Sequence, residues 1–123
     1  MRRRAQDRCD YCLIPEVYPS LHEPDHVIAL QHRGPTSAAN LALACFDCNR
    51  RKGPNLSSVD PETGRVVELS HPRRDKWVEH FRLEGPRIAG ITAKGRATVE
   101  LLQFNTPPRL RIRLELQRAA RYP

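Results

Sequence analysis

The stretches Cys9-Asp10-Tyr11-Cys12 and Cys45-Phe46-Asp47-Cys48-Asn49-Arg50-Arg51-Lys52-Gly53 decide how this chain is read. They form two Cys-x2-Cys pairs, separated by 32 residues, and they hold all four cysteines. Each pair makes a tight knuckle that aims two sulfurs at one point, and two knuckles complete the tetrahedral shell of a structural zinc. Two disulfides are the competing arrangement, and a redox Cys-x-x-Cys pair is a third. The opening MRRRAQDR has no apolar run of the kind a secretory leader carries. That predicts a reducing, cytoplasmic setting in which thiols persist. Neither pair sits in a thioredoxin-like βαβ pattern. Zinc on Cys9, Cys12, Cys45 and Cys48 is therefore expected, in a closed site that does no chemistry itself.

Outward from the knuckles, the 123 residues suit one domain, residues 1–123, whose small core gains from such a staple. Hydrophobic residues make up only 39%, and eleven prolines thin the regular structure further. No apolar run approaches the roughly 20 residues that span a bilayer, so a membrane partner is not expected. The 21 Lys and Arg against 14 Asp and Glu leave a net charge of +7, with a pI near 9.8. A zinc held by four thiolates lowers that only to about +5. Such a balance suits a nucleic-acid partner, although basic character also serves solubility alone. The cations cluster at Arg2, Arg3, Arg4 and Arg8, at Arg50, Arg51 and Lys52, at Arg73, Arg74 and Lys76, and along Arg109, Arg111, Arg113, Arg118 and Arg121. Arginine dominates, which favours bidentate phosphate contacts. The run Arg2 to Arg4 reads as solvated surface.

The chain shows no internal repeat. Residues 9–53 carry every cysteine and three of the five histidines, and residues 54–123 read as a C-terminal extension. In that extension Asp60-Pro61-Glu62-Thr63-Gly64 predicts a turn feeding a short strand at Val66, Val67 and Leu69. Trp77 and Phe81 stand four apart, as on one helical face. A hairpin is expected over 83–92, turning at Glu84-Gly85-Pro86, and a helix over 95–105. In the tail, Leu110, Ile112, Leu114 and Leu116 alternate like a strand, yet Leu110/Leu114 and Ile112/Leu116 also fit helical spacing. The Pro107-Pro108 start suits a helix N-terminus, so a helix is expected.

Between the knuckles lie Glu23-Pro24-Asp25-His26, His32-Arg33-Gly34 and Asn40-Leu41. These residue types suit phosphodiester hydrolysis, which needs a base for water and a divalent cation with hard oxygen ligands. An imidazole can be that base at neutral pH. Singly, each residue also has a plain structural use, such as a surface pair, a turn, a helix cap or a helix end.

Together, CDYC … EPDHVIALQHRG … NLALACFDCNRRKG resembles the HNH endonucleases, whose pattern runs CxxC … (H/E)x(D/E)HxxP … GG … NL … CxxCNxxKG. The likeness extends to a bacterial subgroup over roughly residues 9 to 115. It implies an α+β fold: a ββα-metal core stapled by a four-cysteine zinc site, with an extension of hairpin and helices. It also implies roles. His26 matches the general base, Asp25 and Asn49 the ligands of a catalytic Mg²⁺ or Mn²⁺, and Asn40 the asparagine that ties the connecting loop and helps hold the base. Arg50, Arg51 and Lys52 are expected on flanking phosphates, and His32 on a phosphate or loop. The implied partner is DNA, with RNA as a further candidate. Departures are Glu23 in place of the first histidine, Ala29 or Leu30 for the usual proline, and a single Gly34 followed by Pro35. Pro24 inside the first strand predicts an edge. The alternative reading is a zinc-knuckle module that grips nucleic acid without cutting it.

Overall fold

The computed structural model describes residues 1–16 and 21–123, and mixes short strands with short helices. A one-turn helix, α1 (Arg2–Ala5), leads into the first knuckle. Strand β1 (Glu23–His26) pairs antiparallel with β2 (Leu41–Ala44), with Asp25 opposite Ala42 and His26 opposite Leu41. Among the described residues this sheet has two strands, so the missing donor of Pro24 is tolerated at an edge. Helix α2 (Phe46–Lys52) follows β2 at once, with Cys45 as its cap.

The connection between β1 and β2 is held by Asn40. Its Oδ1 accepts the Ile28 amide at 2.9 Å, and its Nδ2 donates to the carbonyls of Ile28 and Pro35 at 3.0 and 2.9 Å. One buried amide thus stands in for a sheet partner at Ile28, just beyond the pairing of the Val27 amide with the Asn40 carbonyl at 2.9 Å. Gly34 lies so close to this loop that a Cβ there would sit 1.7 Å from the Ile28 carbonyl oxygen.

Beyond α2, hairpin β3 (Ser57–Val59) and β4 (Val66–Glu68) turns through Asp60 to Gly64, as its turn residues predict. A single helical turn, α3 (Trp77–His80), then runs directly into hairpin β5 (Phe81–Glu84) and β6 (Arg87–Gly90). The hairpin turns at Gly85-Pro86 but starts earlier than expected, because Phe81 opens a strand instead of ending a helix. Trp77 and Phe81 still meet, with ring centroids 5.1 Å apart. Helix α4 (Ala93–Leu102) packs on β6, α2 and the β3–β4 hairpin. Gly95 also lets α4 approach the end of α3, since a Cβ there would lie 2.0 Å from the His80 carbonyl oxygen.

The tail is the expected helix, α5 (Pro107–Arg118), with proline at its start. Its buried face is not the one its leucines suggest. Arg109 and Arg113 point inward, while Ile112 is exposed and Leu110, Leu114 and Leu116 are only half-buried. Arg113 is fully buried and donates to the carbonyls of Pro86 and Phe104, each at 2.6 Å. These two arginines are therefore structural, and the tail does not offer its full charge to phosphates. Arg2 and Arg4 are not idle either: Arg2 pairs with Glu16, and Arg4 donates to the carbonyls of Ala38 and Leu41 at 2.9 and 2.7 Å. No helix of the described residues is long and apolar enough to cross a membrane.

Candidate functional site

Both knuckles fold alike. In each, the amide of the second cysteine points at the sulfur of the first, Cys12 N to Cys9 Sγ and Cys48 N to Cys45 Sγ, both at 3.5 Å. Asp10 joins the first knuckle to β2: its amide donates to the Leu43 carbonyl and its Oδ2 accepts the Leu43 amide, both at 2.8 Å. As a result all four sulfurs lie within 4.8 Å of one another, buried. Cys12 and Cys45 Sγ are 3.8 Å apart and all four thiols are free. That separation is far from a disulfide bond. It is close to the edge of a tetrahedron of sulfurs each about 2.3 Å from one zinc ion, about 3.8 Å. The donor set and its spacing therefore fit zinc.

Burial and a neighbouring cation act on these sulfurs in opposite directions. Burial pushes the thiols of Cys9 and Cys48 up, whereas hydrogen bonds from Cys45, Cys48 and Cys9 pull Cys12 down. Arg109 from α5 reaches this cluster, with Nη2 3.0 Å from Cys48 Sγ and 3.9 Å from Cys45 Sγ. Burial opposes its charge, but the sulfurs of Cys48 and Cys12 outweigh burial and hold it firmly protonated. One cation thus stands against the excess negative charge of a four-thiolate zinc. Nothing in the local sequence marks Arg109 for this, since it lies 61 residues from Cys48. The C-terminus closes the same region, where the Tyr122 hydroxyl donates to the Cys12 carbonyl at 2.7 Å.

A shallow groove beside the knuckles is lined by Asp25, His26 and Asn49, together with Leu30 and Gly53. Asp25 is buried, and both of its protein partners use one oxygen. Oδ2 accepts the Tyr11 hydroxyl at 2.6 Å and lies 3.3 Å from Lys52 Nζ. Oδ1 has no protein partner among the described residues. His26 is half-buried, with Nε2 2.8 Å from Thr36 Oγ1. Asn49, half-buried, sits mid-way along α2.

The other candidates stand apart from this trio. Asn40 does not line the groove, because its side chain is committed to the loop. His32 is exposed and contacts the Pro54 carbonyl at 3.1 Å, bridging the loop to the end of α2. Arg50 and Arg51 are exposed. Lys52 is only 1% exposed, and its Nζ also donates to the His26 carbonyl at 3.3 Å. Helical spacing explains that inward turn: Lys52 stands four residues after the buried Cys48 and shares its face. Tyr11 and Thr36, which hold Asp25 and His26, were not singled out by the sequence pattern.

This geometry coincides with a family match. Residues 9–55 match the family model of the HNH endonucleases. The match takes in both knuckles, β1, β2 and α2, and it ends before β3. An HNH domain suggests a nuclease or another nucleic-acid-related function, and its family uses divalent metals. Comparison with curated proteins and with solved structures gives no match.

Proposed function

We propose that this protein is a metal-dependent endonuclease that hydrolyses phosphodiester bonds in DNA, with β1, β2 and α2 as a ββα-metal core. The observation that carries the reading is the convergence of Asp25, His26 and Asn49 on one groove, inside the HNH segment. Oxygens of Asp25 and Asn49 are hard donors suited to Mg²⁺ or Mn²⁺. Asp25 keeps Oδ1 free of partners among the described residues while Tyr11 and Lys52 fix Oδ2. When bound there, the cation supplies neutralisation of the scissile phosphate and the departing oxygen.

The chain's own groups do the rest. A neutral His26 that donates Nε2–H to Thr36 Oγ1 keeps its lone pair on Nδ1, the atom that takes the proton of the attacking water. Asn40 acts indirectly, by fixing the loop that carries His26 into Ile28. Arg50 and Arg51 hold flanking phosphates. Zinc on the four cysteines fastens the ends of this core and takes no part in the reaction.

One contact favours the second reading, a binding module without activity: Lys52 already satisfies the charge of Asp25. The deciding experiment incubates wild type and His26→Ala with supercoiled plasmid and with single-stranded DNA, in Mg²⁺, Mn²⁺ or chelator. Wild type cuts only with the metal, and His26→Ala loses roughly 10² to 10⁴-fold in rate while keeping its zinc and its DNA affinity. Binding without cutting under every metal selects the module. Equal cutting by both proteins removes His26 from the mechanism.

A further inference from the structure

Helix α2 presents more than Asn49 to the groove. Residues three and four apart share a helical face, so Phe46, Asn49, Arg50 and Gly53 form one stripe. Asn49 and Gly53 line the groove, which places Phe46 and Arg50 beside it. Phe46 is 69% exposed, whereas the other two phenylalanines, Phe81 and Phe104, are 3% and 0% exposed. Its ring is not bare. The Arg50 guanidinium carbon lies 5.9 Å from the ring centroid, a cation–π distance that leaves the rest of the ring open. Leu30, which also lines the groove, is likewise 64% exposed. A polar groove bordered by an open aromatic ring, an aliphatic side chain and an exposed arginine is more than phosphate recognition requires. Cations alone hold a duplex backbone. The part of the ring that Arg50 leaves open suits a partner with a flat apolar face of its own.

We propose that Phe46, braced by Arg50, is a stacking platform for one unpaired base next to the cleaved phosphate, so that the preferred substrate is single-stranded or locally unpaired DNA. The net charge of +7 and the exposed Arg50 favour a nucleic acid over an uncharged protein surface on this face. Base stacking on an aromatic side chain is tolerant of sequence, because every base offers a π face. The inference rests on the endonuclease reading for its biological sense, but its chemistry is a binding event and is tested as one.

The test is fluorescence anisotropy of the full chain with a labelled oligothymidylate and with a labelled duplex, in Ca²⁺ to suppress cleavage. Phe46→Ala, Phe46→Trp and wild type are compared, with circular dichroism confirming equal folding. Phe46→Ala loses about 5- to 150-fold in affinity for the single strand, the span that removal of one base–aromatic stack covers. Phe46→Trp retains the affinity, and the duplex changes little. Abasic sites placed one at a time along the single strand reproduce the loss at one position in wild type and add nothing to Phe46→Ala. Equal losses on single strand and duplex, or no loss on either, overturn the proposal. So does sedimentation showing that wild type is a dimer which Phe46→Ala dissociates, since the ring then meets a second copy of this chain. A stacking effect that survives while no metal supports cleavage removes the endonuclease reading alone. Cleavage with no Phe46 effect removes only the platform.

Discussion

Replacing Arg109 by leucine isolates the contribution of one buried cation to the cysteine cluster. The side chain is 7% exposed. Its Nη2 is 3.0 Å from Cys48 Sγ, and its Nη1 donates to the carbonyls of Leu102 and Gln103 at 2.7 and 3.1 Å. Leucine fills most of the volume but leaves two carbonyls at the end of α4 unpaired and the sulfur charge unopposed. Removing one member of a buried charged pair costs about 3–5 kcal/mol. For a chain of this size that corresponds to a fall of about 10–20 °C in Tm. Loss of a group that supports metal ligands also weakens metal affinity by about 10- to 100-fold. The assay is a thermal melt together with zinc competition against a colorimetric chelator. Arg111→Leu is the control, because Arg111 lies on the same helix but is exposed. It changes stability by no more than about 0.5 kcal/mol. Arg109→Lys keeps the charge but not the fork, and falls between the two. If Arg109→Leu and Arg111→Leu melt alike and release zinc alike, the sulfurs carry no charge that needs a partner, and the argument fails.

Three further outcomes are expected. Asn40→Ala strands the Ile28 amide and two carbonyls, and it lowers stability by at least about 1–3 kcal/mol, read as a lower urea midpoint at unchanged slope. Thr36→Val removes the partner of His26 Nε2 from an exposed position. On the proposed endonuclease reading, it lowers the cleavage rate about tenfold, the weight of one hydrogen bond near 1.4 kcal/mol, without moving Tm by more than a degree or two. The fork of Arg96 on Asp60, with both contacts at 2.9 Å, holds the Asp60 carboxyl well below the usual carboxylate range. A carboxyl depressed in the folded state adds stability above its unfolded pKa of about 3.9, and that stability is lost as pH falls toward the folded value. Melts taken from neutrality down to about pH 3 therefore drop more steeply for wild type than for Asp60→Asn below about pH 4. Parallel curves for the two proteins refute the linkage.

The features legible in the linear chain are those set by a few neighbouring residues. A Cys-x2-Cys pair closes its own turn through an amide-to-sulfur contact, so the ligand set was readable before any fold was known. The Gly85-Pro86 turn, the Asp60 turn and the proline start of α5 are local in the same sense. The pairing of β1 with β2 is less local. It brings Asp25 and His26 to the groove with Asn49, and only the family-like pattern of spaced residues suggested it.

What tertiary structure alone decided is which of two equivalent stripes turns inward. In α5 the row Leu110–Leu114 and the row Arg109–Arg113 have the same helical spacing and differ by one position. Hydrophobicity favours the leucines. The wall opposite is not apolar, however: it offers the Cys48 sulfur and the carbonyls of Leu102, Gln103, Phe104 and Pro86. Buried acceptors without donors cost more than half-exposed leucines, so the arginines turn in. Lys52 obeys the same rule in α2, drawn inside by Asp25 and the His26 carbonyl while Arg50 and Arg51 stay out. The sequence determined where the charges are. Acceptors contributed by distant parts of the chain determined which of those charges remain free to meet a phosphate.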